Sequence, residues 1–168
     1  MDKTVVFLDM DGTLVPSNAP DTPCSKHDPF KDSRATRADF QRSVEAVFSA
    51  ANRLGETHTV SAADSEWMSF IGNCYARMHR PVSARDSYGG AGDTPKTWKV
   101  RAFTDLMRGR RGGRIVVVGD TRESEIAAGR AVAADHGAEF VSLHVREPHS
   151  VDEAVGTHQE IVSFLTRL

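Results

Sequence analysis

Thr4-Val5-Val6-Phe7-Leu8-Asp9-Met10-Asp11-Gly12-Thr13 is the stretch whose reading decides the fold class. A β-branched and aromatic run goes uninterrupted through Leu8 and then stops at an acidic turn with a glycine. A strand wetted on one face would alternate apolar and polar residues; an unbroken run is how a strand covered on both faces reads. Ile115-Val116-Val117-Val118 repeats the pattern and stops at Gly119-Asp120. Residues 57–61, rich in threonine, and 139–145 are weaker strand candidates, and 81–84 could form a further short one.

Helical periods lie between these runs. Phe40, Val44, Val47, Phe48, Ala51 and Leu54 share one face at 3.6-residue spacing, which predicts a helix over about 37–54. Trp67, Phe70, Ile71, Cys74 and Met78 predict a second, capped by Asp64 or Ser65. Thr94-Pro95 reads as the cap and first-turn proline of a third, which carries Phe103, Leu106 and Met107. Residues 122–135, stopped by Gly137, and a stretch from Val151 to Leu165 supply the last two. Strands alternating with helices predict an α/β fold with a mostly parallel central sheet. Residues 16–36 and 85–95 read as loops.

Composition agrees with one globular domain spanning 1–168. The chain has 168 residues, 39% of them hydrophobic and 26% charged. A chain of this length buries enough surface to need no disulfide framework, and two cysteines, Cys24 and Cys74, would not make one. The net charge of -2 argues against a nucleic-acid coat and against an acidic disordered tail. No apolar run approaches the ~18 residues of a membrane span, and the first residues do not read as a signal peptide. A cytoplasmic, reducing setting without a membrane partner is the expectation.

In a parallel sheet, ligands collect beyond the carboxyl ends of the strands, and that is where the acids fall. One strand delivers Asp9 and Asp11, another Asp120, with Glu123 and Glu125 close behind. A single Asp at a strand end often just opens a turn. Two acidic strand ends are harder to set aside: carboxylates facing one another repel unless a cation sits between them, and an all-oxygen ligand set favours Mg²⁺. Asp9 as nucleophile with Asp11 as proton donor and acceptor would suit phosphoryl transfer, and Gly12 would let backbone amides approach an anion. Lys96, Lys99 and Arg101 crowd the start of the third helix without a nearby acid, where cations oppose the helix dipole. An anionic ligand would relieve that.

Asp9-Met10-Asp11-Gly12-Thr13-Leu14-Val15 after an apolar strand resembles the first motif of the haloacid dehalogenase-like (HAD) phosphatases, and Gly119-Asp120 after a second apolar strand resembles the fourth. The resemblance runs from Thr4 to about Val145. It implies a Rossmannoid three-layer α/β/α sandwich with little or no cap domain, and Mg²⁺-dependent hydrolysis of a phosphate monoester through an aspartyl-phosphate. Asp9 would be the nucleophile and Asp11 the general acid, then base. Asp9, the Asp11 carbonyl and Asp120 would hold magnesium. Ser61, or failing it Thr59, would bond the phosphoryl oxygens. Lys99 or Lys96 would be the third-motif lysine, with Lys99 preferred because it opens the helical run Lys99-Val100-Arg101-Ala102-Phe103. Gly12, Thr13, Ala62 and Lys96 would line the phosphate. Where the family often has a second Asp, this chain has Ser124; Glu125-Ile126-Ala127-Ala128 looks like the family's helix start displaced by one residue, so Glu125 would meet magnesium through water.

The inserts 16–56 and 62–95 are small, which predicts an open site. The expected partner is a phosphorylated substrate, small or macromolecular, including a nucleic-acid end or a phosphoprotein. A phosphotransferase or mutase, or a non-catalytic regulatory protein with the same fold, are the alternatives. Trp98 could stack on a base but reads first as packing. The basic run Arg108-Gly109-Arg110-Arg111-Gly112-Gly113-Arg114 enters a strand and so belongs to the end of the sheet away from the acids. Cys24 and His27 are too few ligands for a zinc site, and Cys74 reads as core.

Overall fold

The structure, a computed structural model, describes residues 3–16 and 28–168. The chain runs β1 (Thr4–Leu8), α1 (Arg37–Leu54), β2 (Gly55–Ser61), α2 (Ser65–Cys74), β3 (Pro81–Ser83), α3 (Ala84–Tyr88), α4 (Pro95–Leu106) and β4 (Arg114–Gly119). A wide π-type turn over Arg122–Ile126 leads into α5 (Ala127–His136), followed by β5 (Glu139–His144) and α6 (Val151–Thr166).

The five strands are ordered β3-β2-β1-β4-β5 and every pairing is parallel. The register sets Thr4 opposite both Gly55 and Arg114, and Leu8 opposite both Thr59 and Val118. The unbroken apolar runs are explained by what lies on each side. Val6, Leu8, Val116 and Val118 point into a core shared with Phe40, Val44 and Phe48 of α1 and Ala154, Ile161 and Leu165 of α6. Their neighbours Val5, Phe7, Ile115 and Val117 point the other way, against Ala102 and Phe103 of α4 and Ala128 and Val132 of α5. Successive strand residues alternate faces, so only a sheet covered twice asks for apolar residues at both. Phe7 and Phe103 stack with ring centroids 4.1 Å apart. Among the described residues, no helix is long and apolar enough to cross a membrane.

Several expectations are corrected. The loop expected at 85–95 begins with a helix, α3, capped by the Ser83 side chain; five residues are too few to show a period. The α2 helix ends at Cys74, so Met78 lies outside it, and Met68 is buried where Trp67 and Phe70 are only partly so. β2 starts two residues earlier than the threonine-rich stretch suggested, at Gly55. Cys74 is buried as expected, but it is disulfide-bonded rather than a core thiol. Cys24 and His27, and most of the first half of the 16–36 loop, lie outside the described residues.

Because all strands run the same way, their carboxyl ends share one edge of the sheet. β1, β2 and β4 deliver Asp9, Ser61 and Asp120 to that edge. The basic run lies at the opposite edge, where three of its four arginines are paired with acids: Arg110 with Glu56, Arg108 with Asp105 at 2.6 Å and Arg114 with Glu139 at 2.9 Å. A cavity of about 710 Å³ lies beside this run, lined by Arg108, Arg110 and Arg111 and not by Asp9, Asp120 or Glu125.

Candidate active site

Asp9 follows β1 directly, and its backbone N–H donates to the Val118 carbonyl at 2.9 Å, prolonging the ladder by one residue. The chain then turns sharply. The Met10 carbonyl accepts from the N–H groups of Thr13, Leu14 and Val15, and the Gly12 N–H donates to the Val15 carbonyl at 3.0 Å. Gly12 has φ +78°, and a Cβ there would lie 2.6 Å from Asp120 Oδ2. A side chain would therefore be strained and would push into the neighbouring carboxylate.

The turn returns Thr13 to the nucleophile candidate: its hydroxyl donates to Asp9 Oδ2 at 3.0 Å and lies 3.5 Å from Asp120 Oδ1. From the other side Lys99, 3% exposed on α4, places Nζ 2.7 Å from Glu125 Oε2 and 3.3 Å from Asp9 Oδ1. Glu125 is held in turn by the Thr121 N–H, which donates to its Oε1 at 2.8 Å. Gly119 makes room for it, since a Cβ there would sit 2.1 Å from Glu125 Oε1. Asp9, Asp120 and Glu125 each present an oxygen within 4.8 Å of the others.

Such crowding has a cost in proton affinity. Burial holds the Asp9 carboxyl well above the ordinary range; Glu125 and Asp120 raise it further, and Lys99 only partly offsets them. Asp120 is raised too, by burial first and by Glu125. Burial alone would raise Glu125, but the Lys99 ammonium and the Thr121 N–H bring it below its usual value. For Lys99 burial works against the charge, and Asp9 and Glu125 outweigh it, so the ammonium is held more tightly than normal. Asp11 is pushed up to about 6 by burial, then by Asp9 and Glu147, with Lys99 opposing. Its buried Oδ1 has no hydrogen-bond partner among the described residues.

Of the sequence-predicted residues, Asp9, Thr13, Lys99, Asp120 and Glu125 converge, with Gly12 beneath Asp120 and Asp11 beside Asp9. Ser61 ends β2, buried, its Oγ accepting the Ala63 N–H at 3.1 Å; Ala62 is half-buried next to it. Thr59 is turned elsewhere, donating to the His79 carbonyl at 2.9 Å. Lys96 is exposed and makes no ion pair or hydrogen bond among the described residues, so the two lysines separate cleanly. The basic residues at the start of α4 do have acids near them: Asp93 pairs with Arg101 at 2.5 Å, and Glu125 and Asp9 with Lys99. Glu125 binds Lys99 more closely than Asp9 does, a role sequence reasoning did not assign. Trp98 packs against the α4 side of the core, its indole N–H without a partner.

Three further residues escaped the sequence reading. The Thr121 N–H positions Glu125, His144 Nε2 donates to the Asp120 carbonyl at 2.8 Å, and Glu147 raises Asp11. The signal for His144 was present, since it ends a strand at the same edge as Asp120.

No family model matches the chain, and no curated protein matches its sequence. Solved structures do. The HAD domain of the effector protein Lem4 from Legionella pneumophila, as an inactive mutant, superposes with a TM-score of 0.54 at 12% identity, covering 99% of this chain and 98% of that one. A second structure of that domain gives 0.53 at 14% identity, covering 96% and 94%. Superposition along nearly the whole of both chains, with a five-stranded parallel sheet between two helical layers, shows that this chain has the Rossmannoid α/β fold of HAD domains.

Proposed function

We propose that the chain is a Mg²⁺-dependent phosphatase that hydrolyses a phosphate monoester through an aspartyl-phosphate at Asp9. The observation that carries this reading is the convergence on one buried carboxylate, Asp9, of the Thr13 hydroxyl, the Lys99 ammonium and two further carboxylates, with the unpartnered carboxyl of Asp11 beside them.

The residues fit a divalent cation. Three carboxylates within 4.8 Å, one ammonium among them in the described residues, and two of the three held above their ordinary proton affinity describe a place short of positive charge. An all-oxygen donor set suits a hard cation. Asp9, the Asp11 carbonyl and Asp120 would hold it, with Glu125 acting through water because Lys99 and Thr121 occupy both its oxygens. Bound there, magnesium would keep Asp9 ionised and neutralise charge on the transferring phosphoryl group.

The protein's own residues do the rest. An Asp9 oxygen attacks phosphorus in line with the ester oxygen, forming the P–O bond to Asp9 as the ester P–O bond breaks. Asp11, whose carboxyl is raised to about 6 and so holds its proton over a wider range than a free aspartate, gives that proton to the departing oxygen. The resulting Asp11 carboxylate then takes a proton from water, whose oxygen attacks phosphorus. The bond to Asp9 breaks and inorganic phosphate leaves. Thr13 and Lys99 hold the Asp9 carboxylate in its attacking position, and Ser61 with the 61–63 backbone would bond the phosphoryl oxygens.

The inserts at 16–56 and 62–95 are too short for a substantial cap domain, which supports a bulky substrate such as a phosphoprotein or a nucleic-acid end. The test is hydrolysis of an aryl phosphate by the purified chain. Activity that requires Mg²⁺, disappears on chelation and falls by about a thousandfold or more in Asp9→Asn is the expected result. Full activity in Asp9→Asn would overturn the covalent route. A panel of nucleotides, sugar phosphates, phosphopeptides and 3′-phosphorylated oligonucleotides then reads the substrate class, and turnover of small metabolites alone would overturn the open-site argument.

A further inference from the structure

His158 lies on α6, beyond the part of the chain that the sequence motifs cover. Its ring is 1% exposed and both of its nitrogens are engaged. Nε2 is 2.8 Å from the Leu14 carbonyl and Nδ1 is 2.7 Å from Ser43 Oγ on α1. A carbonyl only accepts, so Nε2 carries the proton and Nδ1 accepts from the Ser43 hydroxyl. The ring of Phe40 meets the imidazole edge-on at 5.1 Å. Among the described residues no carboxylate bonds the ring: Asp39 and Arg42 of α1, which line the same cavity, pair with one another, and its neighbour on α6 is the neutral Gln159. Burial lowers the ring's pKa to about 4, the Leu14 carbonyl only partly opposing, so it stays neutral at ordinary pH.

Leu14 belongs to the turn that carries Asp11. That turn is tied internally at its start, where the Met10 carbonyl takes three N–H groups, and the Val15 carbonyl takes the Gly12 N–H. The Leu14 carbonyl points out of the turn, and its partner comes from a helix 144 residues away in sequence. The Asp11 side chain has a buried oxygen that nothing among the described residues holds. Its aim therefore depends on the backbone beneath it, and that backbone is anchored at its far end by one imidazole.

We infer that His158 is a positioning residue: by donating to the Leu14 carbonyl, within a Ser43–His158–Leu14 chain, it fixes the 10–15 turn and so the aim of Asp11. The inference rests on the reading of Asp11 as proton donor, but its geometry can be tested apart from that reading.

Two substitutions separate its two bonds. His158→Gln places an amide nitrogen where Nε2 stands and keeps a donor to Leu14; His158→Asn reaches only as far as Nδ1 and loses it. In aryl phosphate hydrolysis, His158→Asn is expected to lose kcat by about ten- to a hundredfold with KM within about threefold, as a misaimed catalytic group does. His158→Gln is expected to keep kcat within about threefold of the parent chain. In amide NMR spectra recorded well below the melting temperature, the Gly12 and Thr13 resonances should shift in His158→Asn and hold in His158→Gln. Equal loss of kcat in both variants, or unshifted Gly12 and Thr13 in His158→Asn, overturns the inference. If the parent chain hydrolyses nothing, the phosphatase reading falls, while the spectra still decide the positioning role. If neither variant folds, imidazole NMR of the parent chain decides: an Nε2–H tautomer supports the bond to Leu14 and an Nδ1–H tautomer overturns it.

Discussion

At the scale of single residues, the site is built by close approach as much as by charge. Gly119→Ala would place a methyl group 2.1 Å from Glu125 Oε1 and 2.3 Å from its Cγ, so Glu125 must leave its seat. Overpacking of this kind costs about 1–3 kcal/mol, to be read in a urea melt, and turnover should fall by about tenfold or more because Lys99 loses its tighter partner. Lys99→Met tests the same cluster from the other side. Its ammonium is 4% exposed and sits between two carboxylates of 5% and 2% exposure. Removing it strands buried charge, at a cost of about 3–5 kcal/mol near neutral pH. Lys96→Met, at an exposed and unpaired position, should change stability by less than about 0.5 kcal/mol. Equal effects from the two lysines would contradict the geometry. The acids were readable because they stand directly at strand ends. The choice between Lys96 and Lys99 was not, because three residues of helical phase decide which one turns inward.

At the scale of elements, helix starts were legible where a side-chain cap precedes an apolar period long enough to read. Thr36 closes α1 reciprocally: its hydroxyl accepts the Asp39 N–H at 3.1 Å, and its own N–H donates to Asp39 Oδ2 at 2.8 Å. Thr36→Ala should cost about 1 kcal/mol, measured as a lower denaturation midpoint with an unchanged slope. Thr94 with Pro95 and Asp64 mark α4 and α2 in the same way. The short α3 and the turn at Arg122–Ile126 were not legible, since neither is long enough to show a period. The latter turns Glu125 inward: a π-type turn accommodates an extra residue, and within it Glu125 is buried.

At the scale of the molecule, α1 and α6 cover one face of the sheet and His158 lies between them. Its titration should be visible in the stability of the whole chain. The unfolded imidazole takes a proton near 6.5, the folded one only near 4. Between those values the unfolded state binds more protons, so stability is lost as pH falls from about 6.5 towards 4, by up to about 3 kcal/mol. Thermal melts across that window should show the loss in the parent chain and a smaller one in His158→Gln. An identical pH dependence in both would mean that other groups govern it.

The sequence by itself determined the α/β class, the parallel strands and the acidic edge. These follow from local features: unbroken apolar runs are tolerated only where both faces of a strand are covered, and the residue after a strand's last apolar position has to sit at its carboxyl end. Tertiary structure alone decided that Glu125 rather than Asp9 is the closer partner of Lys99, that the Thr59 hydroxyl is taken by the His79 carbonyl, and that the Leu14 carbonyl, in the turn bearing Asp11, meets a histidine from the last helix. Each of these joins residues between 20 and 144 positions apart and depends on a rotation of a few tens of degrees about a helix or strand axis. Periodicity shows which face a residue shares, but not what will be packed against it.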